Sequence, residues 1–393
     1  MAREEKPYRV YRGGRAKGRV PLQSRPERVA REGGDGKADG RPKRPRRQTT
    51  WTKKTWIGIA ILLLFVLLLV WAVASWFAFK GGAEAANRRL KPRDRAALAQ
   101  QSGLLLSHPT NILLLGTDHA NTDARVTDQH SDSIMLVRAD PKHHRLAYLT
   151  IPRDLYVAVP GHGDDKINSA FQIGGAALAT RTVQGFTGVP VNHVVIVDFG
   201  DFRDLIDAVG GVTIDVPKTL ISDKFDCPYP TQARCDRWGG WHFEKGRQHL
   251  DGRRALIYSR IRVAQNSNEN DITRGERQQV VLQALMGRLT SPGTMLKLPW
   301  IGGKLMKPLT TDLSAGQLLQ LGWVKFRASS SRDLHCRLGG SAEYSGGASI
   351  IRSSEENIST IHMFMGDSAP QPPPPGSGPF GPGCVIGNRS LGG

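Results

Sequence analysis

The chain of 393 residues has only four cysteines, Cys227, Cys235, Cys336 and Cys384, and no two of them form a CxxC pair. With no histidine at ligand spacing beside them, a structural zinc site has no support. A GxSxG nucleophile elbow, a GxxxxGK[ST] phosphate loop and an HExxH helix are also missing. Their absence removes the sequence grounds for a hydrolase triad, a nucleotide switch or a zinc protease. The first 54 residues are short of acid, with 6 Asp and Glu against 18 Lys and Arg, which supplies +12 of the formal net charge of +19. The remainder, 36 basic against 29 acidic residues, carries only +7, so arm and body need separate explanations. The arm, taken as residues 1–55, has hardly any apolar periodicity and reads as disordered.

Next to the arm stands "WIGIAILLLFVLLLVWAVASWFAF", residues 56–79, 24 residues without a charge. As a helix it would cross about 30 Å of hydrocarbon, with Trp56, Trp71 and Trp76 toward its ends. "AVA" at 72–74 resembles a signal-peptidase site, but the run exceeds the roughly 7–15 apolar residues of a cleavable signal, so an uncleaved signal-anchor is expected. Lys and Arg number 8 over residues 37–55 and 6 over residues 80–99, which favours a cytoplasmic N-terminus and a single pass through a bacterial cell membrane, with the body outside. Beside such a span, "RPKRPRR" at 41–47 reads as a topogenic tail near anionic lipid, and no nucleic-acid partner is expected. An even number of exported cysteines suggests disulfides, and of the three possible pairings sequence proximity favours Cys227 with Cys235, leaving Cys336 with Cys384.

Residues 80–108 read as a polar, basic stalk of helical composition, and the body runs from 109 to 326. A Gly/Ser/Pro-rich extension, 327–393, contains "APQPPPPGSGPFGPG", an uncompacted polyproline-type stretch. Within the body, "NILLLG" (111–116), "SIMLVRA" (133–139), "RLAYLTI" (145–151), "HVVIVDF" (193–199) and "GVTIDV" (211–216) are short apolar, β-branched runs. "GGAALATRTVQGF", "FRDLIDAV" and "ERQQVVLQALMGRL" carry helical periodicity, and the alternation predicts an α/β sandwich. The short turn "DPKHH" makes the second and third strands antiparallel. If the first strand also opposes the second, Asp118, Asp132 and Arg153 emerge at one end of the sheet. Two carboxylates and an arginine there suit Mg²⁺ bridging to a phosphate. On composition alone the same residues also read as a surface ion-pair network. Lys166 equally reads as a solvated loop lysine, Asp198 as a helix cap and His130 as an exposed side chain.

In "DITRGERQQVVLQAL", residues 271–285, Thr273 and Glu276 have the spacing of a capping box. The apolar stripe traced back through Leu289, Leu285 and Val281 leads to Gln278, Arg277 and Arg274, so the first turn presents guanidinium groups where later turns present core residues. Such a helix start calls for a bound anion or a paired carboxylate.

In order, "NILLLGTD", "SDSIMLV", "IPRDLYV", "DKINSAF", "VDFGDFRDLIDAVGGVTIDV", "FEKGRQHLDGRRALIYSRIR" and "DITRGERQQ" closely resemble the LytR-CpsA-Psr family of membrane-anchored cell-wall ligases, over roughly residues 109–290. The resemblance implies an α-β-α sandwich with a mixed central sheet behind one transmembrane helix. It also implies transfer of a glycan-phosphate from a polyprenyl-pyrophosphate carrier onto peptidoglycan, with Mg²⁺, as in attachment of teichoic acid. It places the metal at Asp118 and Asp132 and pyrophosphate contacts at Arg153, Lys166, Arg260, Arg262, Arg274, Arg277 and Gln278, with Asp198 and His130 as further site positions. Two departures stand out: His130 and Ser133 occupy places where the family commonly has arginine and threonine, which puts one phosphate contact in doubt. Asp132, Arg153 and Arg274 are the expected catalytic residues, and Asp132 or another carboxylate at that edge is the expected base. The rivals are a polyprenyl-pyrophosphate hydrolase and a non-enzymatic glycan-binding or regulatory membrane protein.

Overall fold

The computed structural model describes residues 8–9, 20–21, 52–117, 131–224, 227–261, 263–267, 271–345, 347–377 and 380–387. At 8–9, 20–21, 132, 199–201, 271 and 272 it describes the backbone alone. In the basic arm Tyr8–Arg9 pairs antiparallel with Val20–Pro21, and the expectation of disorder for the rest of the arm lies outside the described residues. Helix α1, Lys53–Arg89, is 37 residues long and continuous, so the apolar run and the start of the expected stalk are one element. It is long and apolar enough to cross a membrane once, as a single-pass anchor does.

After α1 come β1 (Thr110–Thr117), β2 (Ser131–Asp140), β3 (Arg145–Ile151), β4 (Leu155–Val159), β5 (Gly163–Lys166), α2 (Ser169–Thr187), β6 (His193–Asp198), α3 (Phe199–Ala208), β7 (Val212–Val216) and β8 (Gly246–Leu250). Then come α4 (Gly252–Arg260), α5 (Asp271–Leu289), α6 (Pro292–Met306), β9 (Leu309–Thr311), α7 (Ala315–Arg327), β10 (Leu334–Arg337), β11 (Gly340–Ser345), β12 (Ala348–Ser353), α8 (Glu356–Met365) and β13 (Gly383–Ile386).

Seven strands form the main sheet, in the order β9-β6-β1-β2-β3-β10-β13. As the short turn implied, β2 and β3 are antiparallel, and β1 opposes β2. β6 runs parallel to β1 and β10 parallel to β3, so the sheet is mixed. Period-2 alternation sends Leu113, Leu115, Leu136, Leu149 and Ile151 to one face, where they pack with Leu178 of α2 and Phe364 of α8. Met135, Val137, Leu146 and Tyr148 point to the other face, against Val324 of α7 and Leu282 of α5. Helices therefore cover both faces, the α-β-α arrangement expected. Each fully buried leucine contributes about 2 kcal/mol of apolar burial. β7, the "GVTIDV" run, stands apart and pairs with β8 in a two-stranded sheet.

α2 is broken at Gly175, whose φ of +65° an L side chain rarely adopts. The renewed helix is capped from outside, because the buried carboxylate of Asp94, just after α1, accepts from Ala177 N at 3.0 Å.

The fold does not end at residue 326. β10 and β13 belong to the main sheet, and β11 and β12 join β4 and β5 in a second sheet. Cys336 and Cys384 lie opposite each other on β10 and β13 and form a disulfide inside the core, and Cys227–Cys235 is the other, as expected. The proline-rich stretch is compact rather than loose. Cys384 N donates to Gln371 O at 2.7 Å, Gly340 N to Phe380 O at 2.9 Å and Arg337 Nε to Gly381 O at 2.8 Å.

Candidate active site

Five strands bring their functional ends together. Thr117 of β1 lies opposite Ser131 of β2 and Asp198 of β6, Ile134 lies opposite Ile151 of β3, and Thr150 lies opposite Arg337 of β10. The β1–β2 ladder slips here: Gly116 pairs with Ser133 but Thr117 with Ser131, which leaves Asp132 as the extra residue of a bulge. A bulge bends its strand and re-aims a residue, and bulges recur beside active sites. Asp118, His130 and Arg262 lie outside the described residues, Asp118 directly after Thr117.

Beyond β3 the chain turns at Pro152, where Leu155 N donates to Pro152 O at 3.1 Å. Asn168 N then donates to Arg153 O at 3.2 Å, which draws the end of β5 back to the end of β3. As a result one carboxylate meets two cations: Asp154 Oδ2 is 3.3 Å from Arg153 Nε, and Asp154 Oδ1 accepts from Lys166 Nζ at 2.9 Å. All three side chains are largely buried. Lys166 is therefore not a solvated loop lysine. Asp154 escaped the sequence reading, although its place beside Arg153 in "IPRD" was the available signal. Two cations on one carboxylate leave the trio formally positive, at a sheet end where an anionic ligand would be drawn.

α5 begins at Asp271, so Thr273 lies within its first turn and is not its cap. Glu276 reaches across to the sheet instead, where its Oε1 accepts from Arg337 Nη1 at 3.1 Å. Burial pulls the Arg337 guanidinium below the usual arginine range, and Glu276 works against that pull. The first turn sits tightly on the end of β3: a β-carbon at Gly275 would come within 2.8 Å of Thr150 Cγ2. Of the inward stripe, Arg274 and Arg277 are buried with Val281 and Leu285 as read, but Gln278 is only half-buried.

Arg277 Nε donates to Tyr258 O at 3.0 Å and its Nη2 to Ile261 O, so it ties down carbonyls at the C-terminal end of α4. That backbone contact accounts for its burial without an anion, which weakens the expected pyrophosphate role. The glutamine engaged with the sheet is Gln279, which donates to Thr150 Oγ1, while Gln278 is half-buried. Arg260 ends α4 and is exposed.

The chain thus combines a mixed α/β fold, a basic, carboxylate-bearing sheet end and one apolar helix long enough to cross a membrane. Residues 75–363 match the model of the LytR_cpsA_psr family, and the chain belongs to that family. Over 268 residues it is 30% identical to the polyisoprenyl-teichoic acid–peptidoglycan teichoic acid transferase TagV of Bacillus subtilis (strain 168). That match takes in 67% of this chain and 65% of the relative, slightly under two thirds of the relative's length. The fold is similar to the crystal structure of B. subtilis TagV, with TM-score 0.55 and 28% identity over 66% of this chain and 97% of that one. It is also similar to the LytR-CPS2A-psr family protein YwtF (TagT) with bound octaprenyl pyrophosphate lipid, with TM-score 0.50 and 26% identity over 68% of this chain and 93% of that one.

Proposed function

We propose that the protein transfers a glycan-phosphate from a polyprenyl-pyrophosphate carrier to a hydroxyl of peptidoglycan, with the body outside the membrane. The observation that carries this reading is the Arg153–Asp154–Lys166 trio at the sheet end where β1, β2 and β6 also finish, beneath the arginine-bearing first turn of α5. The relatives' names and the octaprenyl pyrophosphate held by a similar fold support the same substrate class.

In the proposed reaction the acceptor hydroxyl attacks the phosphorus next to the sugar. A new P–O bond to the acceptor forms, the P–O bond to the bridging oxygen breaks, and polyprenyl monophosphate leaves. Arg153 and Lys166 offset the charge of the pyrophosphate, with Arg274 at the helix start as the further donor and Arg260, which ends α4, as another. The acceptor proton passes to a carboxylate at this sheet end, Asp132 or a neighbour.

Asp118 and Asp132 are a pair of carboxylates of the kind that suits a hard divalent cation such as Mg²⁺. Bound there, the ion would supply further neutralisation of phosphate oxygens. The test is incubation of a labelled polyprenyl-pyrophosphate glycan with peptidoglycan and the full-length protein in detergent or vesicles. Label is expected on peptidoglycan, lost with chelator and regained with Mg²⁺, and Asp132→Asn is expected to raise the Mg²⁺ concentration required. Label released only as free glycan-phosphate would make the protein a hydrolase instead.

A further inference from the structure

Ser75 is 4% exposed and Trp71 half-buried, although both belong to the apolar run of α1, while residues 61–70 just before them are fully open. The element covering them is α6. Trp71 Nε1 donates to Leu296 O at 3.1 Å. A β-carbon at Gly302 would lie 3.1 Å from Phe79 N, and one at Gly82 would lie 2.9 Å from Met306 Cβ. Residue numbers rise together along these contacts, so the two helices run parallel. Ala78 and Gly82, spaced by four, face Gly302 and Gly303, the small-residue pairing by which helices pack closely in membranes, and Ala86, four further on, packs with Met306. A hydrocarbon core takes about 20 helical residues, which counted from Trp56 end near Ser75, so the Trp71–Leu296 contact lies roughly 6 Å inside it. An element that covers α1 at that depth shares its solvent.

We propose that the N-terminal half of α6, Pro292–Trp300, is seated in the lipid leaflet that surrounds the C-terminal end of α1. This rests on the anchor reading of α1. The outer surface of α6 fits lipid: Leu296 is 67% and Trp300 73% exposed, with Met295 beside them. An indole at the headgroup boundary is well placed, and the long stem of Lys297 lets its ammonium reach the phosphate layer. The body then has a second membrane attachment, which fixes its rotation about α1.

The test uses full-length protein in phosphatidylcholine–phosphatidylglycerol vesicles, with a polarity-sensitive fluorophore on single thiols introduced by Leu67→Cys, Leu296→Cys, Trp300→Cys and Ile358→Cys. The four native cysteines are held in disulfides, so only the new thiol reacts. Ile358 is exposed on α8 beside β13, at the opposite edge of the main sheet from β9, where α1 docks. Labels at 67, 296 and 300 should shift to the blue and be quenched by nitroxide-bearing lipids, those at 296 and 300 more by a shallow nitroxide than by a deep one, while the label at 358 is unaffected. Labels at 296 and 300 that behave like the one at 358, with 67 quenched, overturn the proposal and leave the anchor standing. An unquenched label at 67 overturns both.

Discussion

Arg274 and Arg277 sit on one face of α5; Arg277 holds the carbonyls of Tyr258 and Ile261, and Arg274 is the donor that the proposed reaction uses. Arg277→Ala would strand two carbonyls at the end of α4, each worth about 1–3 kcal/mol when left unsatisfied in the interior. Its melting temperature should fall by several degrees, with transfer per folded molecule near normal. Arg274→Ala should do the reverse, lowering transfer by roughly tenfold to a thousandfold, as for the loss of one transition-state donor, with a melting curve close to the parent's. Parallel melting and glycan-transfer assays decide this, and an exchange of the two phenotypes would reassign the helix. His335 offers a prediction in pH. It stacks on Tyr148 at 5.2 Å between ring centres and meets Gln283 and Gln279, and burial holds its pKa down at about 4. Because the folded value lies below the unfolded value of about 6.5, the unfolded chain binds the proton first as pH falls. The stabilisation is complete above about 6.5 and declines toward 4, by about 2 kcal/mol at pH 5. Thermal melts at pH 7 and pH 5 should show this loss, and His335→Gln should flatten it.

β10 and β13 are only four residues each and are set among glycine, serine and proline, so neither carries enough alternation to register as a strand. β10 is buried between β3 and β13, and β13, the edge strand, lies against α8, a tertiary cause invisible to local pattern; the paired cysteines were the one local hint that residues 336 and 384 meet. β1, β2, β3 and β6 were legible for the opposite reason, since each has four or more apolar or β-branched residues in a row or in alternation. At the site, the shared sheet end followed from the short turn between β2 and β3, and the inward arginines from helical period. The bulge at Asp132 and the reach of Lys166 to Asp154 depend on register and on the return of β5, which no spacing reveals. The two disulfides should differ in weight. Cys336–Cys384 spans 48 residues and Cys227–Cys235 spans 8, which in the chain-entropy model corresponds to about 4 and about 2.5 kcal/mol. Replacing the first pair by alanine should lower the melting temperature more than replacing the second, and equal effects would mean that the C-terminal strands contribute little to the fold.

For the whole molecule, the expected direction of insertion, with the basic arm inside, can be read by fusion after Gly393. A reporter active only in the cytoplasm should be silent there and one active only after export should work; a bright cytoplasmic reporter would overturn the orientation and the proposed wall substrate together. The connection between anchor and body has a further effect. α1 runs unbroken to Arg89, Asn87 Nδ2 donates to Leu313 O at 2.6 Å, Arg89 Nη2 donates to Met306 O at 3.0 Å and Lys307 O at 2.9 Å, and Leu90 is already in the core. With no hinge between them, the sheet end stays at a constant height above the bilayer. In the proposed reaction the carrier lipid, confined to the membrane plane, can find such a site by lateral diffusion alone, whereas a wall strand must pass through a thin layer at that height to be modified. Encounters with donor are then a two-dimensional search, and the spacing between membrane and wall, rather than the affinity for acceptor, becomes the quantity that sets how often the protein can turn over.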